Sequence, residues 1–113
     1  MTAMPTLSTH VLDTERGVPA EGVPVSLWQE DGASLTLLGT AETDRRGRID
    51  ALGDLQAGCY QLGFDVHTYY VRQGRQAPFL RNVAVQFTVD PSAEHYHVPL
   101  LVSPFGCTTY RGS

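Results

Sequence analysis

Lysine is absent from this 113-residue chain, and all eight of its basic residues are arginine. Schiff-base chemistry on a lysine, lysine general bases and the phosphate-gripping lysine of a P-loop are thereby excluded, and any fixed cation in a site must be an Arg. Cysteine is scarce as well. Cys59 and Cys107 lie far apart without CxxC or Cys/His ligand spacing, so neither a disulfide framework nor a zinc motif is present, and both are expected to be buried thiols. No apolar run approaches the roughly 18 residues that span a bilayer, and the start, MTAMPTLSTH, has neither the basic nor the apolar region of a signal peptide. A soluble, cytoplasmic protein is expected. The net charge of −4, with arginines spread along the chain, offers no footprint for a nucleic acid or an anionic membrane, and neither is expected as a partner.

What the chain does contain is a succession of short runs rich in Val, Leu, Thr and aromatics, punctuated by Gly, Pro and Asp. That pattern predicts an all-β sandwich rather than a helical or alternating α/β fold. Eight strands are expected: 7–12, 23–29, 35–42, a very short one near Ile49, 59–65, 82–89, 95–101 and 107–111. One short helix, about His67 to Gln73, is placed between two strands and is expected to pack on the surface. With no repeat, linker or low-complexity tract, residues 1–113 read as a single domain.

Side chains alternate across a strand, so the run from His95 to Val102 divides into two faces. Tyr96, Val98, Leu100 and Val102 form a core face, which leaves His95, His97, Pro99 and Leu101 on the other. Pro and Leu so close together on an outer face imply that it covers something. In 7–12, Ser8, His10 and Leu12 share one face and Leu7, Thr9 and Val11 the other. Thr108 and Tyr110 project to one side of the last strand, opposite Cys107, Thr109 and Arg111. Two histidines, a Tyr and an Arg near both chain ends suggest a site on a sheet face, completed by a second subunit.

The opening LSTHVLDTERGVPAEGVPVSL and the closing EHYHVPLLVSPFGCTTYRGS resemble the two signatures of the 5-hydroxyisourate hydrolases, within the transthyretin-like family. Asp44, Gly47 and Arg48 resemble that family's Asp-x-x-Gly-Arg turn, so the likeness runs through essentially the whole chain. It implies a transthyretin-like, prealbumin-like antiparallel β-sandwich and a cyclic amide hydrolase of urate breakdown. Its substrate would be 5-hydroxyisourate and its product 2-oxo-4-hydroxy-4-carboxy-5-ureidoimidazoline. Carried over residue by residue, the family's catalytic groups are His10, Arg48, His97 and Ser113, with Tyr110 and Thr108 joining His10 and Arg48 in binding substrate. A homotetramer, a dimer of dimers with clefts at the dimer–dimer interface, is implied too. The chain departs from the family's common pattern at Cys107, where Tyr is frequent, and at Phe79-Leu80.

These residue types suit the chemistry. An imidazole, with an ordinary pKa of about 6.5, takes a proton from water and returns it near neutrality. His10 or His97 is assigned that role, and the other holds water or protonates the leaving nitrogen. Arg48 presents a planar fork of donors to a carbonyl-rich heterocycle. Ser113 brings a hydroxyl, and as the last residue an α-carboxylate that would fix an imidazole tautomer. His67 and His95 are read as surface or hydrogen-bonded structural residues. Neither metal nor cofactor is expected, because His10, His95 and His97 lack a carboxylate or thiolate at ligand spacing. The competing reading is a transthyretin-like carrier of a small hydrophobic ligand, against which stands Tyr110, bulky enough to close a through-channel into clefts. An adhesion or regulatory domain of the same fold has no reason to end in Y-R-G-S.

Overall fold

The computed structural model describes residues 5–113, so the reading of the extreme N-terminus as free of a leader falls partly outside the described residues. The strands are β1 (Thr6–Asp13), β2 (Val18–Pro19), β3 (Pro24–Asp31), β4 (Ser34–Glu42), β5 (Arg48–Asp54), β6 (Gly58–Asp65), β7 (Asn82–Val89), β8 (His95–Ser103) and β9 (Gly106–Thr109). The helix α1 (Val66–Arg72) lies between β6 and β7. The eight expected strands are all present. The ninth, two-residue β2 pairs with the end of β1 through Leu12 and Asp13, and β5 is longer than the short strand expected near Ile49.

Two sheets form the sandwich. One has the order β2-β1-β8-β9, with β5 also on β1; the other has the order β4-β3-β6-β7. The sandwich is antiparallel as expected except at one pair: β1 and β8 run parallel, in register from Thr6↔His95 to Asp13↔Val102. A parallel pair cannot be closed by a hairpin and needs a long crossover. The chain between β1 and β8 supplies it by building the second sheet.

The core lies where the inner faces meet. Leu7, Val11, Leu100 and Val102 from the first sheet and Leu62 and Phe64 from the second are fully buried, with Tyr96 and Val98 nearly so. The face predicted for β8 is the one that packs. The helix is capped by Asp65, whose carboxylate accepts from the Thr68 amide at 3.0 Å and hydroxyl at 2.7 Å. Its Val66, Tyr69 and Tyr70 are buried at i, i+3 and i+4, so it adds a stripe to the core rather than merely lying on the surface. Both cysteines are exposed, contrary to expectation. Cys59 alternates against the buried Tyr60 and so faces outward, while Cys107 sits on the edge strand β9.

One charged group is buried without a sequence signal. Asp13 is fully inaccessible. Its carboxylate accepts from the Tyr69 hydroxyl at 2.8 Å, the Arg75 guanidinium at 2.7 Å, and the Glu15 and Arg16 amides, both at 3.1 Å. Arg75 also pairs with Glu15 and lies 4.7 Å from the Tyr70 ring centre. Burial pushes the Asp13 carboxyl up, but the Arg75 and Tyr69 hydrogen bonds more than offset it and hold the group below 3.8. A group with a depressed folded-state pKa contributes stability above its ordinary value and loses it as pH falls through the folded value. Asp13→Ala is therefore expected to destabilise the fold by about 3 kcal/mol in urea melts at neutral pH. The gap from wild type should narrow only below 3.8.

Candidate active site

Alternation on β1 sends Leu7, Thr9, Val11 and Asp13 into the core and turns Ser8, His10 and Leu12 to the outer face of the first sheet. Directly opposite residues of neighbouring strands share a face, so register decides what meets there. His10 faces Arg48 across β1 and β5 and Pro99 across β1 and β8, and Ser8 faces His97. Three of the predicted residues, His10, Arg48 and His97, thus come from three strands onto one face.

Arg48 is aimed by the turn before it. The Asp44 carboxylate accepts from the Arg46 amide at 2.8 Å and the Arg48 amide at 3.0 Å, and the Gly47 amide donates to the Asp44 carbonyl at 2.9 Å. Gly47 itself has φ +74°, and a Cβ there would stand 2.4 Å from the Val11 carbonyl oxygen. The turn is pressed against β1, which the Val11 amide ties to the Gly47 carbonyl at 2.8 Å.

His97 is half-buried and hydrogen-bonded. Its Nδ1 lies 2.8 Å from Ser8 Oγ, which leaves Nε2 to meet a ligand. Burial lowers its pKa from 6.5, the Arg48 charge lowers it further, His95 and His10 add to this, and Asp50 opposes. The neutral ring, able to accept a proton, is favoured. The C-terminal segment crosses beside it: the Gly112 amide donates to the His97 carbonyl at 2.7 Å, and a Cβ on Gly112 would fall 2.6 Å from His97 Cδ2. Ser113, exposed, comes next.

The remaining predicted residues are less closely gathered. Thr108 stands opposite Leu101, on the outer face. Tyr110 is 55% exposed and lines a groove of about 230 Å³ at the open edge of the sandwich with Phe87, Tyr96, Val98 and Arg111. It makes no hydrogen bond to His10, Arg48 or His97 within this chain. The residue on His97 Nδ1 is Ser8, not Ser113. Ser8 and His95 are the members that sequence reasoning left without a role, although alternation had already set Ser8 beside His10. Of the two departures, Cys107 lies opposite Val102, and Phe79 stacks on Phe105 with both rings exposed. Among the described residues, no three His, Cys, Asp or Glu side chains converge as a metal set would require, and no helix is long and apolar enough to cross a membrane.

The class defined by this geometry is a two-sheet sandwich of the transthyretin-like fold, with an imidazole and guanidinium cluster on the outer face of one sheet. The sequence profile of the HIUase/Transthyretin family matches residues 7–112, and the chain belongs to that family. It is 46% identical over 115 residues to the 5-hydroxyisourate hydrolase of Halalkalibacterium halodurans, covering 95% of this chain and 97% of that protein. The solved 5-hydroxyisourate hydrolase of Klebsiella pneumoniae superposes with a TM-score of 0.85 at 38% identity, over 97% of this chain and all (100%) of that one. Sea bream transthyretin, solved with thyroxine, superposes with a TM-score of 0.88 at 33% identity, over 95% of this chain and 94% of that one.

Gly17 and Gly47 give a controlled test of the turn that aims Arg48. Both have positive φ, +69° and +74°, but only Gly47 has backbone within reach of a Cβ. Gly17→Ala is expected to cost about 1 kcal/mol, the left-handed penalty alone. Gly47→Ala should cost clearly more, roughly 2 kcal/mol or above in chemical denaturation, because the contacted atom is a carbonyl oxygen that cannot rotate away.

Proposed function

We propose that the protein hydrolyses 5-hydroxyisourate, opening its six-membered ring at the amide-like C–N bond to give 2-oxo-4-hydroxy-4-carboxy-5-ureidoimidazoline, without a metal or cofactor. The observation that carries the reading is the cross-strand grouping of His10, Arg48 and His97 on one sheet face. The hydrolase name of a relative 46% identical over nearly the full chain supports it. His97 acts as general base through Nε2: it takes a proton from water as the oxygen adds to the ring carbonyl. Its pKa, lowered mainly by burial, leaves the ring unprotonated, and hence competent, at neutral pH. Arg48 binds the carbonyl-rich heterocycle and stabilises the developing oxyanion, which no neutral donor does as strongly. His10, opposite Arg48, returns a proton to the leaving nitrogen, so that cleavage of the C–N bond leaves a carboxylate and the terminal NH2 of a ureido group. Ser113 closes the site beyond Gly112, and Thr108 and Tyr110 shape the substrate's surroundings.

The same reading places the protein in the cytoplasm, where two exposed, unpaired thiols at Cys59 and Cys107 persist in a reducing medium. It also makes the working unit a homotetramer, since the half-buried Leu12 and Leu101 and the buried Pro99 give the site face an apolar frame that a second subunit would cover. Sizing with light scattering should return four chains; a monomer at micromolar concentration would overturn this.

Following the ultraviolet decay of freshly generated substrate tests the activity against its spontaneous loss. Wild type should accelerate the decay, with the acid limb of kcat/KM below 6.5. His97→Ala and His10→Ala should each lose about 10²-fold or more in kcat, and Arg48→Gln should lose both binding and rate. Unchanged rates in both histidine variants would sink the assignment. Tight binding of a small hydrophobic ligand with no acceleration would point to a carrier instead.

A further inference from the structure

His95 and Ser8 form a hydrogen-bonded line with His97. Ser8 Oγ lies 2.8 Å from His95 Nε2 and 2.8 Å from His97 Nδ1, and His95 Nδ1 is held in turn by Thr6 Oγ1. The parallel register makes the line: Thr6 stands opposite His95 and Ser8 opposite His97, so alternate residues of β1 and β8 interleave on one face. Ser8 is only 7% exposed, whereas His95 and Thr6 at the other end are open to solvent.

A hydroxyl carries a single proton, so Ser8 cannot donate to both rings at once. At least one ring must therefore donate to Oγ, and a line able to pass a proton on needs Oγ to donate to the other. In the first arrangement His97 donates from Nδ1, Ser8 donates to His95 Nε2, and His95 keeps its proton on Nδ1 toward Thr6. His97 Nε2 then has a free lone pair. In the reverse arrangement His97 carries its proton on Nε2 and cannot act as a base there.

We propose that Ser8 and His95 are positioning residues that hold His97 in its Nδ1–H tautomer and carry its proton to the surface. The inference rests on the reading of His97 as the base. The transfer balances as follows. Water gives a proton to His97 Nε2 and its oxygen bonds to the ring carbonyl; the His97 Nδ1 proton moves to Ser8 Oγ; the proton originally on Ser8 moves to His95 Nε2. The positive charge ends on His95, and the line runs backward when a proton is needed. The groups around His97 explain why this helps. Burial, Arg48 on β5, His95 on β8 and His10 on β1 disfavour a second cation there, and Asp50 on β5 opposes them. On exposed His95 water solvates the charge.

Three variants decide it. Ser8→Ala cuts the line, His95→Gln keeps a hydrogen-bonding group at the Nε2 position but cannot relay, and His95→Ala opens a gap that free imidazole can fill. The ¹⁵N shifts of the His97 ring at about pH 8, well above the ordinary imidazole value, report the tautomer whether or not the protein is active. Wild type and His95→Gln are expected as Nδ1–H, and Ser8→Ala as mainly Nε2–H. Ser8→Ala and His95→Gln should each lower kcat at least about 10-fold, short of the roughly 10²–10⁴ of a whole acid–base catalyst, with KM nearly unchanged. Added imidazole should restore much of the His95→Ala rate. Wild-type kcat in His95→Gln, or His97 found as Nε2–H in an active wild type, overturns the relay and leaves the hydrolase reading standing. A wild type with the Nδ1–H tautomer and no acceleration of substrate decay overturns the hydrolase reading and the transfer step, and leaves only the tautomer control.

Discussion

The register of β1 against β8 is the constraint on which the rest depends. These strands are joined by no hairpin, and their parallel pairing lays eight consecutive residues of one against eight of the other. Inside the sandwich the buried Thr9 hydroxyl donates to the Val98 carbonyl at 2.6 Å, fixing the pairing at its centre. Because side chains alternate with period two, a slip of one residue would turn Leu7 and Val11 outward and bring Ser8 and His10 into the core. The fully buried Leu7, Val11, Leu100 and Val102 oppose that slip with several kcal/mol of lost burial. The outer face therefore inherits its precision from the inner one: Ser8 meets His97, and His10 meets Pro99, because the core permits no other alignment.

The far end of β1 is fixed by charge rather than by apolar packing. A buried carboxylate is costly unless its oxygens are satisfied. Asp13 has four donors, drawn from the following turn, from α1 and from the segment beyond it. The helix, too short to be stable alone, is thereby clamped to the strand that carries His10. Tyr70, packed in the same place, has its hydroxyl pushed up to about 12 by burial and by the Asp13 charge, so it stays neutral. Interior β1 residues thus anchor the strand at both its centre and its end while its outward residues are left for chemistry.

How much of this could be read from the sequence follows from what is local. The two faces of β8 were legible because alternation is a property of one strand, and the same holds for Leu7, Thr9 and Val11 on β1. The turn at Asp44 to Arg48 was legible because its chemistry is contained in five residues. Pairing across the long crossover was not. Composition and spacing say nothing of which strand lies beside β1, so Ser8 and His95 looked idle until β8 was laid parallel to it. Asp13 was equally opaque, since its partners Tyr69 and Arg75 are distant in sequence. The cysteines misled for the opposite reason: a residue type that favours interiors was placed by strand position at an outward site and an edge.

The outer face suits such a cluster better than the core does. Two imidazoles and a guanidinium within the Leu and Val interior would each have to shed their water, at several kcal/mol per charge. Fully exposed, they would be screened and their mutual effects lost. On this sheet they sit between those limits: for half-buried His97, framed by buried Pro99 and half-buried Leu101, burial first and the Arg48 charge second favour the neutral form. Covering the face with a second subunit would deepen the desolvation in the same direction and favour the neutral ring further. The requirement for an exposed end to the hydrogen-bonded line would then become stricter, because a proton accepted in a closed cleft needs somewhere solvated for its charge to rest. His95, at the start of β8 and beside exposed Thr6, occupies the position where the strand emerges into water.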